Sequence, residues 1–326
     1  MKQKHIRWAL IGCGDIAERR VAPALTDLPE SRLVSVSRRR TDLAESFAER
    51  FSVPQWFGSW EDQIRDPDID AVYVATPVSL HEEQVIRSAE AGKHVLCEKP
   101  MALDRHACRR MIDACRAGGV RLGVAYYRHF YPVLETVKHI IRSGEIGRVT
   151  VAQIDCFSRF NRGPDEPRGW LLDKTQSGGG PMIDFGCHRL EVFLHLFGDA
   201  DEVSALNANL LYTDRNVEDT SAAVLKFRSG TLAALTATHT ADESRDTLML
   251  YGSKGSIHIP HLNQGTYRLV QSGRTIQEKT LPPHANFHQP LIHDFNQAIL
   301  EGRDPVVDGE AGRAVTELID RIYGNP

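Results

Sequence analysis

The chain has 326 residues, 41% of them apolar and 25% charged, with a formal net charge of −4. These values fit a soluble globular protein of two domains or one large one, and the mild charge argues against a nucleic acid or acidic membrane as partner of the whole chain. No apolar run approaches the roughly 18 residues of a membrane span, and the opening MKQKHIRWALIGCG is too short in apolar residues for a signal peptide.

Residues 6–11 (IRWALI) form a short apolar strand that stops at glycine, and a helix pattern follows over 16–28. A strand over 33–37 and a helix over 42–51 come next, then the strand AVYVATP (71–77) and a helix over 81–91 closed by Gly92. HVLCEKP (94–100) is a further strand, 105–117 a helix, and RLGVAYY (121–127) the last strand of this series. Apolar strands alternating with amphipathic helices predict parallel βαβ units with both sheet faces covered. After about residue 125 the pattern changes. A helix over 132–143 precedes longer alternating strands: VTVAQIDCF, DEVSALNANLLY, TSAAVLKF, GTLAALTATHT, DTLMLYG, GSIHI and YRLVQSG. Their succession predicts a mostly antiparallel sheet with one open face, and helices over 291–300 and 309–323 close the chain. The expected division falls at 125/126: a doubly wound domain over 1–125, which the glycine motif below makes a Rossmann dinucleotide-binding domain, and an α+β domain over 126–326, to which the resemblance given below assigns substrate binding and oligomerisation, with its last helices free to pack back on the first.

Gly12-Cys13-Gly14-Asp15-Ile16-Ala17 reads G-x-G-x-x-A between a strand and a helix, the context that gives this motif its meaning. Gly12 allows the tight turn, Gly14 the approach of a pyrophosphate, and Ala17 close helix–strand packing, while the helix N-terminus holds phosphate. At the tip of the second strand an acid would bind the ribose hydroxyls of NAD. Here Ser37, Arg38 and Arg39 stand there, with Arg40 beyond. A hydroxyl and guanidinium forks suit the 2′-phosphate of NADP(H), so NADP(H) is expected over NAD(H).

Three later stretches carry chemistry. AGKHVLCEKP places Lys99 after a parallel strand, at a ligand-binding edge. SGGGPMIDFGCH sets Asp184 and His188 four residues apart, on one face if Pro181 opens a helix. AYYRHFYP follows the last strand of the first series. These motifs, with YGSKGSI and DFNQAILEGRDPVVDGEAG, resemble the family of glucose–fructose oxidoreductase, inositol dehydrogenase and their relatives over nearly the whole chain.

The resemblance implies a catalytic group of Lys99, Asp184 and His188. It implies cofactor contacts from Thr76, Pro77, His81, Glu98, Pro100 and Trp170, besides Gly12, Gly14, Asp15 and Ile16. Tyr127 and Arg128 match the residue pair near nicotinamide and substrate. The sequence departs from the family pattern at Pro181, where a small or aliphatic residue is common, and at Glu191, where an aspartate often stands. The expected reaction moves a hydride between nicotinamide and a carbonyl or secondary alcohol of a sugar, keto-sugar or polyol. His188 exchanges the proton and Lys99 polarises the oxygen. A glycosidase-like relative that recycles tightly held NAD, and a dinucleotide sensor without chemistry, are the alternatives.

The six cysteines form no CxxC pair and read as reduced thiols of a cytoplasmic protein. No histidine or cysteine cluster has metal-ligand spacing, so no metal is expected, and His195, His284 and His288 read as structural or surface residues. The open sheet face is the expected surface of a homodimer or homotetramer.

Overall fold

The computed structural model describes residues 5–163 and 165–324. They fall into two compact units, one of residues 1–127 with 285–316, the other of 128–284 with 317–326. The first holds six parallel strands: β1 (Ile6–Ile11), β2 (Ser31–Ser37), β3 (Gln55–Phe57), β4 (Ala71–Val74), β5 (His94–Cys97) and β6 (Leu122–Val124). Their order is β3-β2-β1-β4-β5-β6. Every side chain of β4 is buried, as covering helices on both faces require. The strand order reverses between β1 and β4, and ligands of open α/β sheets bind beyond the carboxyl ends at such a point.

The helix Gln289–Glu301 belongs to this first unit. Trp8 Nε1 of β1 donates to Asn296 Oδ1 at 3.0 Å, and the Trp8 and Phe295 rings lie 5.6 Å apart. Gly123 is required beneath that ring: a Cβ there would meet Phe295 Cδ2 at 2.8 Å.

The second unit holds β7 (Val149–Phe157), β8 (Ala200–Ala208), β9 (Thr220–Phe227), β10 (Leu232–Thr238), β11 (Arg245–Asp246), β12 (Leu248–Gly252), β13 (Ser256–Ile259), β14 (Thr266–Gln271) and β15 (Arg274–Thr280). The order is β15-β14-β13-β12-β7-β10-β9-β8, with β11 on β7. Only the β7–β10 pair is parallel among these ladders. Period-two alternation sorts the side chains. Ala223, Leu225 and Phe227 of β9 and Ala233, Leu235 and Ala237 of β10 are buried. The Phe227 ring meets Phe193 at 6.1 Å and Phe197 at 5.4 Å, both from the helix Cys187–Phe197. On the opposite face Val151, Val224, Leu232 and Tyr251 remain exposed, aligned across strands by the pairs Tyr251–Val151, Val151–Leu232 and Val224–Ala234. The fold is thus α/β, a Rossmann-type parallel sheet beside a mostly antiparallel one, as the sequence pattern implies.

Two strands lie wholly outside the sequence expectation, while the short β11 overlaps the expected DTLMLYG only at Asp246. β3 is three residues long at the sheet edge, and β15 (RTIQEKT) is exposed at every position. Neither carries an apolar alternation, so only pairing to β2 and to β14 reveals them.

Candidate active site

In the first unit the expected cofactor residues converge on the carboxyl edge of the sheet. Gly12 has φ +96°, and a Cβ there would lie 2.7 Å from the Ala75 carbonyl oxygen. A left-handed residue packed this tightly must be glycine. Gly12 N donates to the Ser37 carbonyl at 3.0 Å, tying the turn to the tip of β2. A Cβ at Gly14 would meet nothing within 4 Å, so this flank of the turn is open to a ligand. Asp15 and Ile16 begin the helix that follows, which widens into a π turn over Ala17–Val21. Asp15 is exposed beside Arg19 at 3.5 Å.

The residues after β2 separate into distinct roles. Ser37 is buried, and its Oγ has no hydrogen-bond partner among the described residues. Its carbonyl, not its hydroxyl, holds the glycine turn. Arg38 Nη1 donates to the Cys13 carbonyl at 2.7 Å, fixing its guanidinium against that turn. Arg39 is exposed, whereas Arg40 is committed to Asp42 at 2.6 Å. Among the described residues neither Arg38 nor Arg39 has a carboxylate partner.

His81 is fully buried, with Nε2 2.9 Å from the Thr76 carbonyl and Nδ1 3.1 Å from that of Pro100. It joins the loop after β4 (Thr76, Pro77) to the loop after β5. Burial lowers its pKa against the pull of these carbonyls and of Glu98. Thr76 Oγ1 donates to Gln84 Oε1 at 2.6 Å.

The loop after β5 holds Lys99 and a cis peptide to Pro100. Under it lies the buried Glu98 carboxylate, accepting from Tyr73 Oη at 2.8 Å, with His288 Nε2 at 3.2 Å and the Lys99 amide at 3.2 Å. Burial pushes Glu98 up, but the His288 hydrogen bond and charge, the Lys99 cation and the Tyr73 hydroxyl together hold it below the ordinary carboxylate value. Tyr127 packs on His288 at 4.9 Å and stacks on Phe287 at 5.7 Å. His288 therefore supports the Lys99 loop. Its sequence position before a helix showed its neighbourhood but not this contact, which spans 190 residues.

In the second unit, Asp184 lies in a π turn over Met182–Gly186 that leads into the helix Cys187–Phe197 carrying His188. Helix geometry begins at Pro181, and π turns recur at functional sites. Both Asp184 oxygens accept from Arg168 Nη2 at 3.0 Å, and His239 Nε2 stands 3.3 Å from Oδ2. Arg168 and His239 carried no sequence signal. His239 is wholly buried between the Phe160 and Phe185 rings, and His188 is also buried. Trp170 is half-buried in a 3-10 turn, Gly169–Leu172.

The triple glycine is dictated by packing. A Cβ at Gly180 would lie 1.9 Å from the Glu218 carbonyl oxygen, and one at Gly179 would lie 2.3 Å from Tyr323 Oη. Glu218 accepts from the Gly180 amide at 2.9 Å and from Tyr323 Oη at 2.5 Å. Burial raises its pKa.

Arg128 is buried, donating to Asn263 at 2.9 Å and pairing with Asp246 at 3.2 Å. Asp246 also accepts from Arg189 Nη2 at 2.7 Å. Burial raises the Asp246 pKa, but Arg189 and Arg128 outweigh it and hold the carboxylate below its ordinary value. Arg128 is thus a fixed, compensated cation in the second unit, while Tyr127 belongs to the first.

A parallel sheet of this order with an open glycine turn at its switch point defines a dinucleotide-binding protein. Residues 6–126 match the model of the oxidoreductase family with an NAD-binding Rossmann fold, and residues 134–258 match the GFO/IDH/MocA C-terminal domain. The chain belongs to this Gfo/Idh/MocA oxidoreductase family, which includes dehydrogenases and reductases of sugars. It is 32% identical over 324 residues to Oxidoreductase P35 of Formosa agariphila, covering 99% of each chain. Its fold matches aldose-aldose oxidoreductase from Caulobacter crescentus, solved with glycerol, with a TM-score of 0.90 at 28% identity over 99% of this chain and 97% of that one. It also matches KijD10, a 3-ketoreductase from Actinomadura kijaniata solved with NADP and TDP-benzene, with a TM-score of 0.89 at 27% identity over 99% and 98%. All six cysteines are buried, and no helix among the described residues is long and apolar enough to cross a membrane.

Proposed function

We propose that this protein is an NADP(H)-dependent oxidoreductase acting on a carbonyl or secondary alcohol of a sugar, keto-sugar or polyol. The observation that carries the cofactor choice is the pair Arg38 and Arg39, two cations beside the glycine turn with no carboxylate partner among the described residues. An acid at that position would repel a 2′-phosphate; two guanidinium groups bind it by charge-assisted hydrogen bonds. The open flank at Gly14 gives room for the pyrophosphate, and Asp15 and Ile16 lead the helix whose N-terminus favours its charge. The nicotinamide supplies or accepts the hydride when bound.

This chain's own residues handle charge and protons. Lys99 polarises the substrate oxygen and stabilises its alkoxide character. Glu98 and His288 brace the Lys99 backbone from below. His188 exchanges the hydroxyl proton, a task that suits imidazole. Asp184, oriented by Arg168 and His239, binds a neighbouring hydroxyl or orients His188. Tyr127 and Arg128 contact the substrate, and Pro77, Pro100 and Trp170 the cofactor. The sugar assignment draws on relatives that reduce or oxidise sugars.

The test follows nicotinamide absorbance with NADPH or NADH against a panel of keto-sugars and inosose-type ketones. Turnover with NADPH well above that with NADH is expected. NADH-only turnover would overturn the cofactor assignment, and tight binding without turnover across the panel would favour a sensor.

The exposed row Val151–Leu232–Tyr251, with exposed Val224 beside half-buried Ala234, supports self-association of a cytoplasmic protein through this sheet face, since a contiguous apolar face is stabilised by cover. Val224→Glu is expected to convert a homodimer or homotetramer into smaller species by light scattering. An unchanged mass would move the interface elsewhere.

A further inference from the structure

The second unit contains a cluster of ligating side chains unused by the proposed reaction. His129 lies in the turn Tyr127–Phe130, Glu135 in the helix Pro132–Ser143 and His195 in the helix Cys187–Phe197. One ligand atom from each lies within 4.8 Å of the other two. Three separate elements contribute, so no linear spacing could reveal the set.

The donors are arranged as a metal needs them. His129 Nδ1 is 2.6 Å from the buried Glu191 Oε1. A carboxylate on that nitrogen fixes the ring and leaves Nε2 as the basic donor, a recurrent support for metal-bound histidine. The His195 side chain is 1% exposed, and its Nε2 has no hydrogen-bond partner among the described residues although Glu135 Oε1 is 3.0 Å away. A buried, unpartnered ring nitrogen is costly unless a ligand completes it. The His129 and His195 rings meet edge to face at 3.9 Å, which brings their nitrogens together. Glu135 is 60% exposed, so an ion has a route in from solvent.

We propose that His129, Glu135 and His195 form a binding site for one divalent cation of the zinc class, with Glu191 holding His129 in place. Two imidazoles and one carboxylate match zinc's preferences, and three protein ligands leave a fourth position for water. The ion would clamp the turn bearing Arg128 to the helix bearing His188. Lys138 Nζ, 3.2 Å from His195 Nδ1, is the competing cation, and it must release that nitrogen when the ring proton moves to Nδ1.

The test uses full-length protein stripped with a chelator and titrated with Zn²⁺ in equilibrium dialysis, with Co²⁺ absorbance as a second readout. We expect one ion per chain, a rise in melting temperature on adding Zn²⁺, and tetrahedral Co²⁺ bands. Glu135→Gln, a change at an exposed position that leaves the core intact, should abolish all three. Glu191→Gln should weaken uptake roughly 10–100-fold, and Lys138→Ala should tighten it. No saturable uptake, or uptake unchanged in Glu135→Gln, would overturn the site and leave the cluster as a hydrogen-bonded network. None of these readouts depends on the oxidoreductase assignment.

Discussion

His188→Ala is expected to lower turnover by roughly 10²–10⁴-fold, the typical contribution of a positioned general acid–base, while NADPH affinity stays near that of the parent protein. The separation follows from placement. His188 sits on a helix of the second unit, behind a π turn, whereas the glycine turn and arginines belong to the first. His188 is buried in a helix that is itself buried almost all round, so its loss also removes packing. His188→Gln, which keeps most of the volume, separates the two effects: a folded protein by circular dichroism with the same loss of turnover assigns the proton transfer. Lys99→Met should cost roughly 10²–10³-fold, the scale for removing one electrostatic donor. Undiminished turnover in both His188 variants would remove His188 from the mechanism.

The parts of this site that were legible in the sequence are those whose chemistry is local. IGCGDIA needed only a strand before it and a helix after it. The strands VTVAQIDCF and TSAAVLKF coincide with β7 and β9 because their burial alternates, in β9 throughout and in β7 from Ala152 on. What escaped depends on distant partners. The reason for the triple glycine lies at Glu218 and Tyr323, 38 and more residues away. The brace beneath Lys99 is His288, which the sequence marks only as a helix neighbour. Asp184, four residues from His188, suggested a pair by spacing, and that spacing gave no sign of Arg168 and His239, which also bind its carboxylate. Ser37 reads as a phosphate ligand by position; that its carbonyl also tethers the glycine turn was not legible there. A sequence presents residue type and spacing; it does not present which lone pair faces inward.

The three arginines after β2 rank by what already occupies them. Arg40 is neutralised by Asp42, Arg38 is anchored by one nitrogen on the Cys13 carbonyl with the rest of its fork available, and Arg39 is exposed. Arg38→Ala with Arg39→Ala is therefore expected to weaken NADPH binding while sparing NADH. Hydrogen bonds to charged groups contribute about 1.5–3 kcal/mol each, and 1.4 kcal/mol is tenfold, so the double variant should lose roughly 10²-fold or more in NADPH affinity by fluorescence titration. Arg40→Ala should leave both affinities within about threefold, because its charge is already compensated and surface pairs contribute about 0–1 kcal/mol. The parent's preference for NADPH should also shrink as salt is raised, since screening reaches exposed cations first. If Arg40→Ala weakens NADPH binding as much as the double variant, the anchored geometry of Arg38 is not what selects the phosphate. If neither matters, the three arginines are a solvated loop and the cofactor is chosen elsewhere along the carboxyl edge of the sheet.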